Sequence, residues 1–194
     1  GTCTVITWRQ DGSALNWVKS LGLFSEFGEI YPFTKPAAIL RSLVFVPALS
    51  GLACPFWDRS AAGLWLGMSL DTTKADLCQA VLEGIALRTA QLLEAISRLI
   101  GEHGSLSVDG GLINNSYFCQ FLSDITQRDI VVPASPDITT YGTGRLALIG
   151  SNMVNDLSEL PPAEKPRTII TPNTDLTPLR ERFAEAVRRA RKWR

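Results

Sequence analysis

A short β-like run, Ser105–Asp109, ends at Gly110–Gly111 and gives way to a helix-patterned segment that follows Asn114–Asn115. No other stretch restricts the chain as much. A strand that stops at a diglycine and turns into a helix presents backbone N–H groups above the strand end, and the helix N-terminus adds partial positive charge there. A phosphate or a nucleotide suits that position. Gly111 has no side chain to obstruct a ligand, and Asn115, read as one turn into the helix, carries an amide that can meet a base or sugar edge. The same pattern also fits a tight left-handed turn that only connects strand to helix.

With 194 residues the chain is sized for one domain, or one domain with a tail, and can bury a substantial core. Its 19 Lys and Arg balance 19 Asp and Glu, so no global basic field points to nucleic acid. The basic cluster Arg188–Arg194 completes a helical pattern, where cations favour the macrodipole. Cys3, Cys54, Cys78 and Cys119 form no CxxC pair, and His103 is the single histidine. Zinc and redox motifs and a histidine-based triad are therefore unsupported, and no metal ligand is assigned. No apolar run is long enough to cross a bilayer and the N-terminus has no signal-peptide pattern, which gives the expectation of a cytoplasmic chain without membrane contact.

Periodicity organises the rest. Thr4–Trp8 reads as a strand, and Gly12–Leu21 as a short helix that packs through Ala14, Leu15, Trp17 and Val18. Leu43–Ala48 and Gly63–Met68 read as strands on either side of a loop rich in aromatics and glycine. Thr73-Lys-Ala-Asp76 has the form of a capping box and opens the longest helix, expected to reach about Ile100 with one core face through Leu77, Ala80, Val81, Gly84, Ile85, Leu92 and Ile96. On it, Glu83 either pairs with Arg88 or leaves Arg88 facing elsewhere. Strand 105–109, helix 115–126, strand 129–133 and a helix near 139–150 follow. The expected fold is α/β, a mixed sheet flanked by helices whose later strands are joined by helical crossovers. Pro161–Pro172, with four prolines, reads as a surface linker. It sets off residues 161–194, the linker and a last helix from Pro178 capped by Thr177, from a main lobe over residues 1–160.

Four glycine-bearing segments stand in chain order. They are Gly12-Ser-Ala-Leu-Asn16-Trp17; the loop from Phe45 through Pro47, Ser50-Gly51 and Pro55-Phe56-Trp57-Asp58; Val108-Asp109-Gly110-Gly111 with Asn115 and Asp124; and Thr139-Thr140-Tyr141-Gly142-Thr143-Gly144. The ordered set closely resembles the C-terminal domain of the FGGY carbohydrate kinases over roughly residues 9–150, and the Trp-Asp loop is most similar to the glycerol-kinase branch. The resemblance implies an actin-like ATPase (ribonuclease H-like) lobe, the second of two that hold ATP and substrate between them. It implies nucleotide contacts at Gly12 and Asn16, matching a Gly-x-x-x-Gln helix segment; at Gly110, Gly111 and Asn115, matching the adenosine turn; and at Gly142, matching the glycine of an Ala-Leu-Gly-Ala-Ala run. Mg²⁺ would arrive with the nucleotide. Asn16 in place of Gln shortens that reach by a methylene, and Thr143-Gly144-Arg145 replace the usual alanines and large residue.

In this family the base that deprotonates the acceptor and most substrate contacts belong to the first lobe. No catalytic residue is therefore expected in this chain, and Asp58, Asp109 and Asp124 are read as structural. The implied activity is ATP-dependent phosphorylation of a polyol or sugar hydroxyl by a protein that includes the missing N-terminal lobe, the chain alone being inactive. The other expectation is a non-catalytic actin-like remnant that acts as an association module, its exposed cleft wall inviting a homodimer or another partner. An excised domain and a natural remnant both fit the sequence.

Overall fold

The computed structural model describes residues 4–5, 11–101, 104–134, 138–160 and 165–194. Most of the expected strand after Val5, and His103, lie outside the described residues.

One long helix, α2 (Lys74–Ile100), organises the chain. Its capping box forms: Thr73 Oγ1 accepts from the Asp76 N–H at 3.2 Å, and Asp76 Oδ2 accepts from the Thr73 N–H at 2.9 Å. Both bonds satisfy donors that a helix start leaves open. The apolar spacing predicts a single core face, yet every residue from Cys78 to Ala90 is buried. The reason is tertiary. Helix α3 (Ser116–Thr126) lies along one side of α2, and β2 (Val44–Val46), paired antiparallel with β3 (Leu64–Leu66), lies along another. Gln79, Glu83, Arg88 and Thr89 are drawn into the interior as a result, where each needs a polar partner.

Helix α1 (Asp11–Ser20) covers the small sheet. Trp17 stacks on Trp65 at 5.4 Å and on Phe45 at 6.4 Å between ring centroids, and Ala14, Leu15 and Val18 are buried as their spacing predicts. Gly84 marks the closest approach of α2 to β2, for a Cβ there would stand 2.3 Å from the Phe45 carbonyl oxygen.

The larger sheet has the order β1-β4-β5-β6. Strands β1 (Thr4–Val5), β4 (Leu106–Ser107) and β5 (Ile130–Val132) run parallel, and β6 (Thr168–Ile170) runs antiparallel to β5 with Ile130 opposite Ile170. This is the mixed sheet expected, with helical segments carrying the chain between the parallel strands. Strand β6 corrects the linker expectation, because Thr168–Ile170 falls inside Pro161–Pro172. Prolines that flank three β-forming residues do not interrupt their ladder, so an edge strand fits between them. Helix α5 (Leu179–Ala190) then buries Phe183, Ala186 and Val187 in the same core as α2. Thr177 does not cap it: its N–H and hydroxyl both donate to Asp175 Oδ1, at 2.9 and 2.6 Å, and Pro178 stands at the cap position.

Helix α4 (Ile138–Gly150) packs differently. Its recurrent partner is the 3₁₀ turn Leu157–Glu159, and Tyr141 and Leu146 are 41% and 63% exposed.

Candidate functional site

Strands β1, β4 and β5 are parallel neighbours, so their carboxyl ends share one edge of the sheet. In open α/β sheets that edge is where ligands bind. Strand β1 precedes α1, β4 leads into the diglycine turn, and β5 precedes α4. Gly12, Gly110 to Asn115 and Gly142 thus all follow strands that end at this edge, although they are far apart in sequence. Asn16 is exposed on α1 and Gly142 is half-buried on α4. The glycines of α4 do not serve a close approach to a neighbouring element: a Cβ at Gly142 or Gly144 would meet nothing within 4 Å.

The turn is left-handed at its first glycine, as one of the two sequence readings has it, and departs from the other in where the helix begins. Gly110 has φ +96°, a left-handed conformation that a side chain would strain, and residues Gly111–Asn114 form a 3₁₀ turn rather than the start of the helix. Asn115 therefore stands at the N-cap of α3, not one turn inside it. Its Oδ1 accepts from the Phe118 N–H at 2.9 Å, which leaves the amide nitrogen as the group it can turn toward a ligand. Nor are all the N–H groups of the turn directed outward, since Asp109 Oδ1 accepts from the Gly110 N–H at 2.6 Å. Gly111 is exposed, and a Cβ added to it would meet nothing within 4 Å.

The other acidic residues have structural work. Asp58 Oδ1 accepts from the N–H and hydroxyl of Ser60 at 2.9 and 2.7 Å, and Oδ2 accepts from the Lys192 N–H at 3.1 Å, which ties the Trp-Asp loop to the C-terminal residues. Asp124 Oδ1 accepts from Gln120 Nε2 and from the N–H groups of Asn173 and Thr174, fixing the connection between β6 and α5. Arg88 faces away from Glu83: it donates to the carbonyls of Ala53 and Cys54 and lies 5.1 Å from the Phe56 ring centroid.

Sequence reasoning missed a buried polar cluster between α2 and the first turn of α3. Glu83, 1% exposed, accepts from the N–H groups of Ala38 and Ile39 at 2.7 and 2.9 Å and from the Tyr117 hydroxyl at 2.5 Å. Gln79 Nε2 donates to Tyr117 Oη at 2.9 Å, and Arg41 donates to Gln79 Oε1 at 2.8 Å. Arg41 and Lys35 also pair with Asp76, each at 2.9 Å. Burial alone would raise the Asp76 carboxyl, but hydrogen bonds from Thr73 and Lys35 and the charge of Arg41 outweigh it and hold Asp76 well below the usual carboxylate range. For Glu83 the balance is reversed. Burial pushes it up to about 7 against the hydrogen bonds from Tyr117, Ile39 and Ala38 and the charge of Arg41. The one signal in the sequence was a glutamate set among Leu82, Gly84 and Ile85 of an apolar helix.

The raised Glu83 predicts a direction for stability. A carboxyl whose folded pKa exceeds its unfolded value stabilises the fold fully below the unfolded pKa, about 4.3, and that contribution is lost as pH rises through about 7. Glu83→Gln does not titrate there. Between pH 5 and 8 (roughly one unit outside that window on the alkaline side), urea unfolding should show the wild-type chain losing stability relative to Glu83→Gln, by on the order of 2 kcal/mol. A pH-independent difference would mean that Glu83 stays ionised throughout.

The comparisons with known proteins agree with this architecture. The sequence model of the FGGY family of carbohydrate kinases, C-terminal domain, matches residues 12–151. Glycerol kinase 2 of Sulfolobus acidocaldarius is 34% identical over 188 residues, which is 94% of this chain and 38% of that protein. The glycerol kinase of Mycoplasma genitalium is 31% identical over 190 residues, 94% of this chain and 37% of its own. The chain thus spans well under half the length of the curated relatives it matches. Among solved structures, the Plasmodium falciparum glycerol kinase with ADP superposes with a TM-score of 0.73 at 26% identity, covering 93% of this chain and 37% of that one. A xylulose kinase from Rhodospirillum rubrum gives 0.67 at 25% identity, covering 92% and 36%. The fold is the actin-like ATPase lobe that the sequence resemblance implies. The chain belongs to the FGGY family of carbohydrate kinases, of which it carries the C-terminal domain.

Proposed function

We propose that the chain is the nucleotide-binding lobe of an ATP-dependent kinase that phosphorylates a hydroxyl of glycerol or a related polyol or sugar. The diglycine turn at the carboxyl end of β4 carries this assignment, because Gly111 is exposed and open to close approach. The glycerol kinase relatives and the neighbour solved with ADP support it. Phosphoryl transfer depends on positioning and charge neutralisation more than on covalent protein chemistry. In this lobe the turn at Gly110 and Gly111 would receive the adenosine, with the Asn115 amide nitrogen as a donor. Gly12 and Gly142 would let backbone approach the nucleotide from neighbouring strand ends, and Asn16, a methylene shorter than Gln, would reach it through a water. Magnesium would arrive with the nucleotide, bound through its phosphates. The general base and the acceptor pocket belong to an N-terminal lobe, and a cytoplasmic location suits such an enzyme. Among the described residues no helix is long and apolar enough to cross a membrane.

A second assignment, a non-catalytic association module, is favoured by α4, whose exposed Tyr141 and Leu146 present apolar surface to a partner or a second copy. A coupled assay of ADP release with glycerol and common pentoses separates the two. The chain alone should stay at background, whereas the product of its full parent reading frame should turn over ATP only when an acceptor is present. Turnover by the purified chain alone would overturn the lobe assignment, and a parent frame without a kinase first lobe would favour the association module.

A further inference from the structure

The turn that would hold adenosine has few side chains to fix it. Gly110, Gly111 and Asn114 are exposed, Leu112 and Asn115 are half-buried, and Ile113 is the one buried residue between Gly110 and Asn115. Apolar contacts such as those of Ile113 and Phe118 set the depth at which a segment sits but not its rotation, because they are non-directional. A hydrogen bond to a buried partner does set rotation. Tyr117, two residues beyond Asn115 in the first turn of α3, makes such bonds. Its hydroxyl donates to Glu83 Oε1 at 2.5 Å and accepts from Gln79 Nε2 at 2.9 Å, both from α2. The ring is braced by Phe33, edge-on at 4.9 Å, and by Phe121 at 6.1 Å.

Glu83 is itself immobilised. It grips two successive backbone N–H groups, those of Ala38 and Ile39, in the 3₁₀ turn Ala38–Arg41. Arg182 of α5 donates to the Ile39 carbonyl at 2.8 Å, and Arg41 joins the same turn to Gln79 and to Asp76. Three segments far apart in sequence, the turn at Ala38 and Ile39, the middle of α2 and the start of α3, therefore meet at the Glu83 carboxyl group. Three N–H or O–H donors converge on the Glu83 carboxyl group.

We propose that Tyr117, held by Glu83 and Gln79, is the positioning residue for the adenosine turn: it fixes the rotation of the first turn of α3 and so aims Gly111 and the Asn115 amide at the nucleotide without touching it. The proposal rests on the assignment of the turn as a nucleotide site. It makes nucleotide affinity depend on a buried carboxyl group and a phenol at the first turn of α3. Tyr117→Phe keeps the ring packing against Phe33 and Phe121 and removes only the oxygen that orients it.

The test is a titration of the chain with ADP, followed by amide chemical shifts, for wild type, Tyr117→Phe, Gln79→Leu and a control, Val187→Ala, which opens the core in α5. In wild type, ADP should shift the amides of Gly110 to Asn115. Tyr117→Phe should displace those same amides before ligand is added and weaken ADP binding by about fivefold. Gln79→Leu should act in the same direction, while Val187→Ala should lower the melting temperature and leave the affinity as it was. If ADP shifts no amide in the turn of the wild-type chain, the nucleotide assignment fails and the proposal with it. If ADP shifts the turn in wild type and binds Tyr117→Phe and Gln79→Leu as tightly, the assignment stands and the positioning role is refuted. Equal weakening by Val187→Ala would also refute it, by reducing Tyr117 to general support of the fold.

Discussion

Replacing Gly84 by valine should cost the chain about 3 kcal/mol or more and leave much of it unfolded, the largest stability effect of any single substitution considered. The added Cβ would stand 2.3 Å from the Phe45 carbonyl oxygen and 3.3 Å from its ring, and neither can yield cheaply. Phe45 is buried, sits in register with Trp65 and stacks with Trp17, so moving it disturbs β2, β3 and α1 together. The alternative, tilting α2 away, separates Cys78 to Ala90 from partners on every side. Urea unfolding monitored by tryptophan fluorescence checks this. A midpoint close to that of wild type would show that the helix and strand are not in the contact described.

The second large effect is on ligand binding rather than on folding. Gly111→Val should abolish detectable binding of adenine nucleotide while leaving the melting temperature within about 2 °C of wild type. Two features separate the outcomes. Gly111 is exposed with nothing within 4 Å of a Cβ, and its backbone lies outside the left-handed region that Gly110 occupies at φ +96°. Valine there meets no protein atom and forces no strained backbone, but it fills the space through which a ribose or purine would reach the turn. Calorimetric titration with ATP and Mg²⁺ makes the comparison. Undiminished binding would place the nucleotide elsewhere on the chain.

What the sequence reveals of this fold follows the range over which each signal acts. The capping box at Thr73 and Asp76, the helical period of α2 and α1, and the break at Gly110 are local, set by neighbours within one turn, and each is found where the residues place it. Burial of Cys78 to Ala90 on all sides is not local, because a period of apolar residues cannot tell whether a helix is covered once or several times. The Glu83 cluster is hidden for the same reason: its partners lie at Ala38, Ile39 and Tyr117, and the nearest cation along the helix, Arg88, faces the other way. Asn115 shows the opposite error. Its residue type signals both a ligand amide and an N-cap, and the 3₁₀ turn before it, which no periodicity announces, moves it to the cap. In β6 three residues between prolines are too short a run to register as a strand until β5 is beside them. Gly12, the diglycine turn and Gly142 could be ordered along the chain from sequence, but that the strands preceding them end at one sheet edge required the strand order β1-β4-β5.

The central claim, that adenine nucleotide binds at the turn following β4, is tested most directly by photolabelling the chain with an azido-adenine nucleotide, then mapping the modified peptides with and without excess ATP. Label should enter the stretch from Asp109 to Phe118, and ATP should suppress it. Label that maps elsewhere under ATP competition, or that ATP does not suppress at this stretch, would contradict it.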